Sequence, residues 1–167
     1  MSNDLEQLGI SADMLDAREL LLQVEAYVLE IAETDENGRE YLLTPEATKA
    51  WHAMKHAAQD DGIILLMVSA FRSVQRQVEI IQAKLDQGGS IEAILSVCAP
   101  PGYSEHHTGR AIDITTPDAP ELEISFETSS AFAWLSQHAA HFGFVMSYPQ
   151  DNRCGFQYEP WHWCYQA

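Results

Sequence analysis

Two short stretches hold the residue types from which a catalytic centre could be built. The first, Ser104-Glu-His-His-Thr-Gly-Arg-Ala-Ile-Asp113, presents an imidazole at His106 and a carboxylate at Asp113. Asp113 sits inside an apolar run, Ala111-Ile112-Asp113-Ile114. A carboxylate in such a run is costly to bury unless something cationic neutralises it. A divalent metal does so, and His106 is a natural co-ligand. Near the C-terminus, Glu159-Pro-Trp-His162 supplies a second imidazole and a second carboxylate. Two nitrogens and one oxygen leave a fourth position for water, the stoichiometry of a catalytic rather than a structural zinc site.

Zinc held in this way polarises a carbonyl and lowers the pKa of bound water. Peptide hydrolysis also needs a base to take the water proton and return it to the leaving amine. Glu159, three residues before His162, is the candidate. Pro160 disfavours helix at Glu159, so the geometry differs from the helical H-E-x-x-H arrangement. The developing oxyanion needs a fixed positive charge, and Arg72 is the expected source. A substrate with a free C-terminal carboxylate needs cationic or hydroxyl partners, for which Arg72, Ser104 and Gln77 are candidates. Trp161 and Tyr103 are candidate pocket walls. His107, beside His106 in what reads as an extended segment, is expected to play a supporting role. Cys164 is expected to be a buried thiol. The pairs His52/His56 and His138/His141 are expected to be structural.

The elements that must position these groups follow from periodicity and punctuation. Residues 1–12 read as a loose acidic start. Apolar residues from Leu15 to Ile31 predict an amphipathic helix over about 13–33, broken at Thr34-Asp-Glu-Asn-Gly38. Tyr41-Leu-Leu43 reads as extended. Thr44-Pro45-Glu46 is a helix start, a capping hydroxyl followed by proline in the first turn, and that helix should end near Gly62. Ile63-Ile-Leu-Leu-Met-Val68 reads as a buried strand that delivers Arg72 at its end. Ser73 caps a helix to about Leu85, and 90–97 is a short helix. Ala111–Thr115 is a strand in which Asp113 faces away from Ile112 and Ile114. Residues 116–127 form a candidate rim or lid. A helix over 129–141, a strand over 144–148 and an extended segment over 156–165 complete the chain. The expected class is α+β, with a small, largely antiparallel sheet flanked by helices.

At 167 residues and 46% hydrophobic content, one domain with a real core is expected. The net charge of −16, 9 basic against 25 acidic residues, argues against nucleic acid or an anionic membrane as partner. The three cysteines contain no C-x-x-C pair, which points to free thiols rather than a disulfide framework or zinc ribbon. The N-terminus has no signal-peptide pattern and no run is long enough to span a membrane. The expected location is the cytoplasm, or the periplasm or exterior if a leader has been removed.

Five motifs occur in order: Ser69-Ala-Phe-Arg72-Ser73 with Gln77; Ser104-x-His106-x-x-Gly109-x-Ala111-x-Asp113; Gly143-Phe144; Tyr148-Pro149; and Glu159-Pro-Trp-His162. In these the chain resembles the VanY-type D-alanyl-D-alanine carboxypeptidases, relatives of the VanX D,D-dipeptidases that share a core fold with the hedgehog signalling domain. The resemblance covers roughly residues 44–165. It implies zinc bound by His106, Asp113 and His162, with Glu159 as catalytic base. It further implies Arg72 on the substrate or its transition state, Ser104 assisting, and a small peptidoglycan-type peptide as substrate. The expected organisation is an N-terminal helical extension over 1–43 packing on a metallopeptidase core over 44–167. Alternatives are a D,D-dipeptidase, an L,D-carboxypeptidase or endopeptidase of the same family, or a non-catalytic zinc- or peptide-binding module. Ser147 and Cys164 stand where many relatives carry arginine, which bears on the substrate more than on the metal.

Overall fold

The computed structural model describes residues 2–166; Met1 and Ala167, the ends of the two expected segments, lie outside the described residues. The chain opens with two short helices, α1 (Ser2–Gln7) and α2 (Ala12–Asp16). The start is therefore not loose: Leu8 and Ile10 are buried with Ile81, Ile94 and Leu95 in a small second core.

The helix expected over 13–33 ends at Asp16. Residues 17–29 instead run as an irregular strap that leaves Leu21, Val24 and Tyr27 exposed. Tertiary bonds override the local pattern here. The strap donates Gln23 N–H to the Gly102 carbonyl (2.8 Å) and Ala26 N–H to the His107 carbonyl (2.8 Å), partners that a helix could not reach. The chain then forms an antiparallel hairpin of β1 (Glu30–Thr34) and β2 (Glu40–Leu43).

Helix α3 (Pro45–Asp60) starts as its sequence dictates, with the Thr44 hydroxyl accepting from Ala47 N–H and proline at the first position. Its buried face, Ala47, Trp51, Met54 and Ala58, repeats at helical spacing and forms one wall of the main core. Strand β3 (Leu66–Ser69) follows, shorter than its apolar run suggests. Helix α4 (Val74–Asp86) is capped by Ser73 Oγ, and Glu25 of the strap also accepts from its Val74 N–H. A short helix α5 (Ile91–Leu95) leads to the loop before the metal-type motif.

Residues Glu105–Thr108 form a 3-10 turn, not the extended segment expected around His107. It closes at Gly109, whose φ of 64° places it in the left-handed region. Strand β4 (Ala111–Thr115) is buried along its whole length. Helix α6 (Ser130–His138) continues as a 3-10 turn to Phe142, then β5 (Phe144–Met146) and β6 (His162–Tyr165) complete a four-stranded sheet. The order is β3-β4-β6-β5, antiparallel throughout. Only 162–165 of the last segment is strand; 156–161 is irregular around Pro160.

The sheet register does the positioning. Asp113 pairs with Ser69 on one side and His162 on the other. Residues directly opposite in an antiparallel pair project from the same face, so Asp113 and His162 share a face by backbone geometry alone. Ile112 and Ile114 project from the opposite face into the core with Trp51, Met54 and Leu135.

Candidate metal centre and cleft

His106, Asp113 and His162 converge, each buried, with one donor atom apiece inside a 4.8 Å span. His106 Nε2 lies 3.2 Å from Asp113 Oδ2, and His162 Nδ1 lies 2.9 Å from Asp113 Oδ1. The other nitrogen of His106, Nδ1, donates to the Ala70 carbonyl (2.7 Å). That bond fixes the tautomer and leaves a lone pair on Nε2 facing the carboxylate. A lone pair against a carboxylate oxygen in a buried site is repulsive unless a cation lies between. The donor set thus fits a divalent metal of zinc type, two imidazoles and one carboxylate. Burial lowers the pKa of His106 and keeps it neutral, as a ligand must be.

Around His162 the charge balance is different. Burial opposes a charged imidazole there, but hydrogen bonds to Asp113 and Glu105 push its pKa up to about 10. The Asp113 carboxyl is held well below the usual carboxylate range, because the two imidazoles outweigh burial. Tyr148 stacks on the His162 ring, centroids 4.7 Å apart and planes 25° apart.

These groups floor a cleft of about 710 Å³ that Arg72, Ser104, Glu159 and Trp161 also line. Burial pushes the Glu159 carboxyl up to about 7; His162 and Arg72 lower it, while Asp113 and Glu105 raise it. A carboxylate poised near neutrality is suited to general-base work. The turn that sets it there is a His162 N–H bond to the Glu159 carbonyl (3.1 Å). The expected rim segment contributes Leu122, Glu123 and Ile124 to the mouth, and Lys84 lies on its wall.

Arg72 is fixed from both ends. Its Nη1 donates to Gln77 Oε1 (3.0 Å) and its Nη2 to Ser69 Oγ (3.1 Å). Its backbone N–H donates to the His106 carbonyl, and its own carbonyl accepts from His107 Nδ1 (2.6 Å). His107 Nε2 accepts from Gly102 N–H, so His107 ties the loop together and faces away from the metal-type group. With neutral partners, the guanidinium charge remains available to a substrate.

Two expected substrate contacts stand elsewhere. Gln77 is wholly buried and does not line the cleft. Its amide is occupied by Arg72 and by the Ala99 carbonyl (2.6 Å), so it orients Arg72 instead of meeting a ligand. Tyr103 also lies outside the lining, because the 3-10 turn carries Ser104 and His106 inward and leaves Tyr103 on the preceding bend. Sequence reasoning assigns no role to Glu105 or Tyr148. For Glu105 the available signal is an acidic residue beside a metal-type histidine; for Tyr148 it is the Tyr-Pro pair. Cys98, Cys154 and Cys164 are free, as expected. His52 donates to the Ala32 carbonyl and His138 stacks on Trp134, both structural uses.

The family model of VanY, described as D-alanyl-D-alanine carboxypeptidase, matches residues 40–167. This chain belongs to the VanY family. The VanY-type sequence is 34% identical over 131 residues to YodJ of Bacillus subtilis, covering 77% of this chain and 48% of that one. It spans about half the length of the curated relatives it matches. Among solved structures it overlays on the LdcB LD-carboxypeptidase with a TM-score of 0.75 and 31% identity, covering 86% of this chain and 70% of that chain. It also overlays on a mutant of the vancomycin-resistance D,D-pentapeptidase VanY in complex with Zn(II), at TM-score 0.66 and 27% identity, covering 83% and 79%. The helices and small antiparallel sheet seen here are thus those of VanY and LdcB-type peptidases. Among the described residues no helix is long and apolar enough to cross a membrane.

Proposed function

We propose that this member of the carboxypeptidase family is a zinc-dependent hydrolase that removes the C-terminal residue of peptidoglycan-type peptides ending in D-Ala-D-Ala. The observation that supports it most is the convergence of His106, Asp113 and His162 beside Glu159 and Arg72 in one cleft. The Zn(II) complex of a related VanY and the donor set here both favour zinc.

Zinc held by His106, Asp113 and His162 would polarise the scissile carbonyl and make water more acidic. Glu159 takes a proton from the attacking water and passes it to the leaving amine as the C–N bond breaks. Arg72, fixed by Gln77 and Ser69, offsets the negative charge that grows on the carbonyl oxygen. Ser104, buried at the cleft floor, offers a hydroxyl to the substrate. Trp161 forms part of the wall. In this reading residues 44–167 make the peptidase core and 1–43 an extension packed on it through the strap.

The test is mass spectrometry of muramyl-type tri-, tetra- and pentapeptides after incubation with zinc-loaded and chelator-stripped protein. Loss of one C-terminal D-alanine from the pentapeptide, only with metal, is expected. No cleavage of any peptide by protein shown to hold zinc would refute the enzyme reading and leave a binding module. The overlay on LdcB favours a second reading, an L,D-carboxypeptidase; trimming of the tetrapeptide to tripeptide would select it. A D,D-dipeptidase would cleave free D-Ala-D-Ala and ignore the pentapeptide.

A further inference from the structure

Glu105 reaches His162 from the side opposite Asp113. Its Oε2 lies 2.9 Å from His162 Nε2 and accepts the Ser147 hydroxyl at 2.6 Å. The Cys164 thiol is a further neighbour on β6. Glu105 is not one of the three converging metal-type groups, because the imidazole ring stands between it and them.

We propose that Glu105 is a positioning residue that selects the metal-binding tautomer of His162. This inference rests on the metal reading above. In the metal-free protein Asp113 and Glu105 together favour a proton on each nitrogen of His162. A metal ligand must give one up, and the neutral imidazole then carries one proton. If Nδ1 carried it, Nδ1–H would donate to Asp113 Oδ1 at 2.9 Å, and the lone pair needed for a metal would be lost. A carboxylate at Nε2 competes for that proton. With Nε2–H donated to Glu105, the Nδ1 lone pair points at Asp113 and His106. Carboxylate–imidazole–metal relays of this kind fix ring orientation and raise ligand basicity. His162 needs such a partner. Tyr148 restrains its ring plane by stacking, but stacking does not distinguish the two nitrogens. Ser147 holds Glu105 in turn, donating to the same oxygen that meets His162.

The experiment measures zinc affinity by competition with a chromophoric chelator for the full chain, Glu105→Ala, Glu105→Gln and Ser147→Ala. Nitrogen-15 NMR of the histidine rings in the zinc-loaded proteins is recorded alongside. Glu105→Ala is expected to weaken zinc ~10–100-fold, the usual cost of removing such a partner. Glu105→Gln, a neutral acceptor of the same shape, is expected to recover part of that loss, and Ser147→Ala to lose less than either. The parent spectrum is expected to show His162 protonated at Nε2 only. Zinc affinity within twofold of the parent in both Glu105 variants would overturn the proposal, as would His162 protonated at Nδ1 in the parent. If Glu105→Ala does not fold, Glu105→Gln decides by the same comparison. A parent that binds no zinc would sink the metal reading itself, a different result from a parent that binds zinc regardless of Glu105.

Discussion

Asp113 Oδ1 and His162 Nδ1 stand 2.9 Å apart across the β4–β6 pair, residues 49 positions apart in the chain and directly opposite in the register. The sheet hydrogen bonds, not the side chains, hold them there. Removing the carboxylate charge should therefore leave the fold and empty the site. Asp113→Asn is nearly the same shape but is a poor metal ligand. It is expected to lose zinc by at least ~100-fold, judged against losses of 10–100-fold for outer partners alone. Chelator competition reads the affinity, and urea unfolding of the metal-free protein checks the fold. Zinc retained at parental affinity would remove Asp113 from the ligand set.

Glu159 should separate chemistry from metal binding. It lines the cleft but is not one of the three converging groups. Glu159→Ala is expected to keep zinc and lose turnover by ~100-fold to 10,000-fold, the range for a positioned general base. Unchanged kcat would show that another group carries the proton.

The raised pKa of Glu159 has two opposite consequences with pH. In the proposed mechanism the base must be ionised, so kcat/KM should rise with pH and then level. Its midpoint should lie below the value of about 7 that Glu159 has without metal, because a bound cation favours the carboxylate. For folding, a carboxyl whose native pKa lies above its ordinary value of 4.5 binds its proton more tightly when folded. The cost of ionising it is absent below pH 4.5, grows between 4.5 and about 7, and is complete above that. It amounts to roughly 3 kcal/mol at most, from about 1.36 kcal/mol for each tenfold gain in proton affinity. Metal-free Glu159→Gln should accordingly be more stable than the parent at pH 8.5, with much of that advantage gone at pH 5. Urea unfolding at the two pH values checks it, and an equal difference at both would contradict the assignment of a buried, ionisable Glu159.

Arg72 and Gln77 make a pair with unequal roles. Arg72→Lys keeps a charge but loses the fork that Gln77 and Ser69 hold. It is expected to cost ~100-fold to 1,000-fold in kcat, in line with loss of an oxyanion donor, with zinc affinity intact. Gln77→Leu leaves the Ala99 carbonyl unpaired and Arg72 half-held. A smaller loss of kcat and a stability cost of ~1–3 kcal/mol should follow. Steady-state kinetics and denaturant unfolding separate them; a larger kcat loss for Gln77→Leu than for Arg72→Lys would contradict the division of labour.

The parts legible in the sequence are those fixed by local rules. The Thr44-Pro45 and Ser73 caps mark α3 and α4 to within a residue of their true starts. Asp113 in an apolar run stands out through its residue type and neighbours alone, and the fold does bury it beside His106 and His162. What is not legible depends on distant backbone partners. The strap over 17–29 has helical spacing of its apolar residues, yet Gly102 and His107 claim its N–H groups. Glu105 reads as one more acid in a chain with 25 of them; its meaning comes only when β6 brings His162 against it. Gln77 reads as a ligand contact because its polarity is visible in the sequence and its complete burial is not.

Gly109 joins the strap to the metal-type loop, and it offers a test of that contact that leaves every proposed catalytic group in place. Its φ is 64°, and a Cβ there would sit 2.7 Å from Leu29 Cδ2 and 3.3 Å from Ala26 Cβ. Two costs add in Gly109→Ala. The left-handed backbone costs about 1–2 kcal/mol for a residue with a Cβ. Overpacking against Leu29 adds a further ~1–3 kcal/mol unless the strap moves. Shortening Leu29 to alanine removes the second cost and leaves the first. The double variant Gly109→Ala/Leu29→Ala should therefore be less destabilised than the sum of the two single changes, a coupling of ~0.5–3 kcal/mol typical of residues in contact. Urea unfolding of the four proteins closes the cycle, and strictly additive losses would mean that the strap does not press on Gly109 in solution.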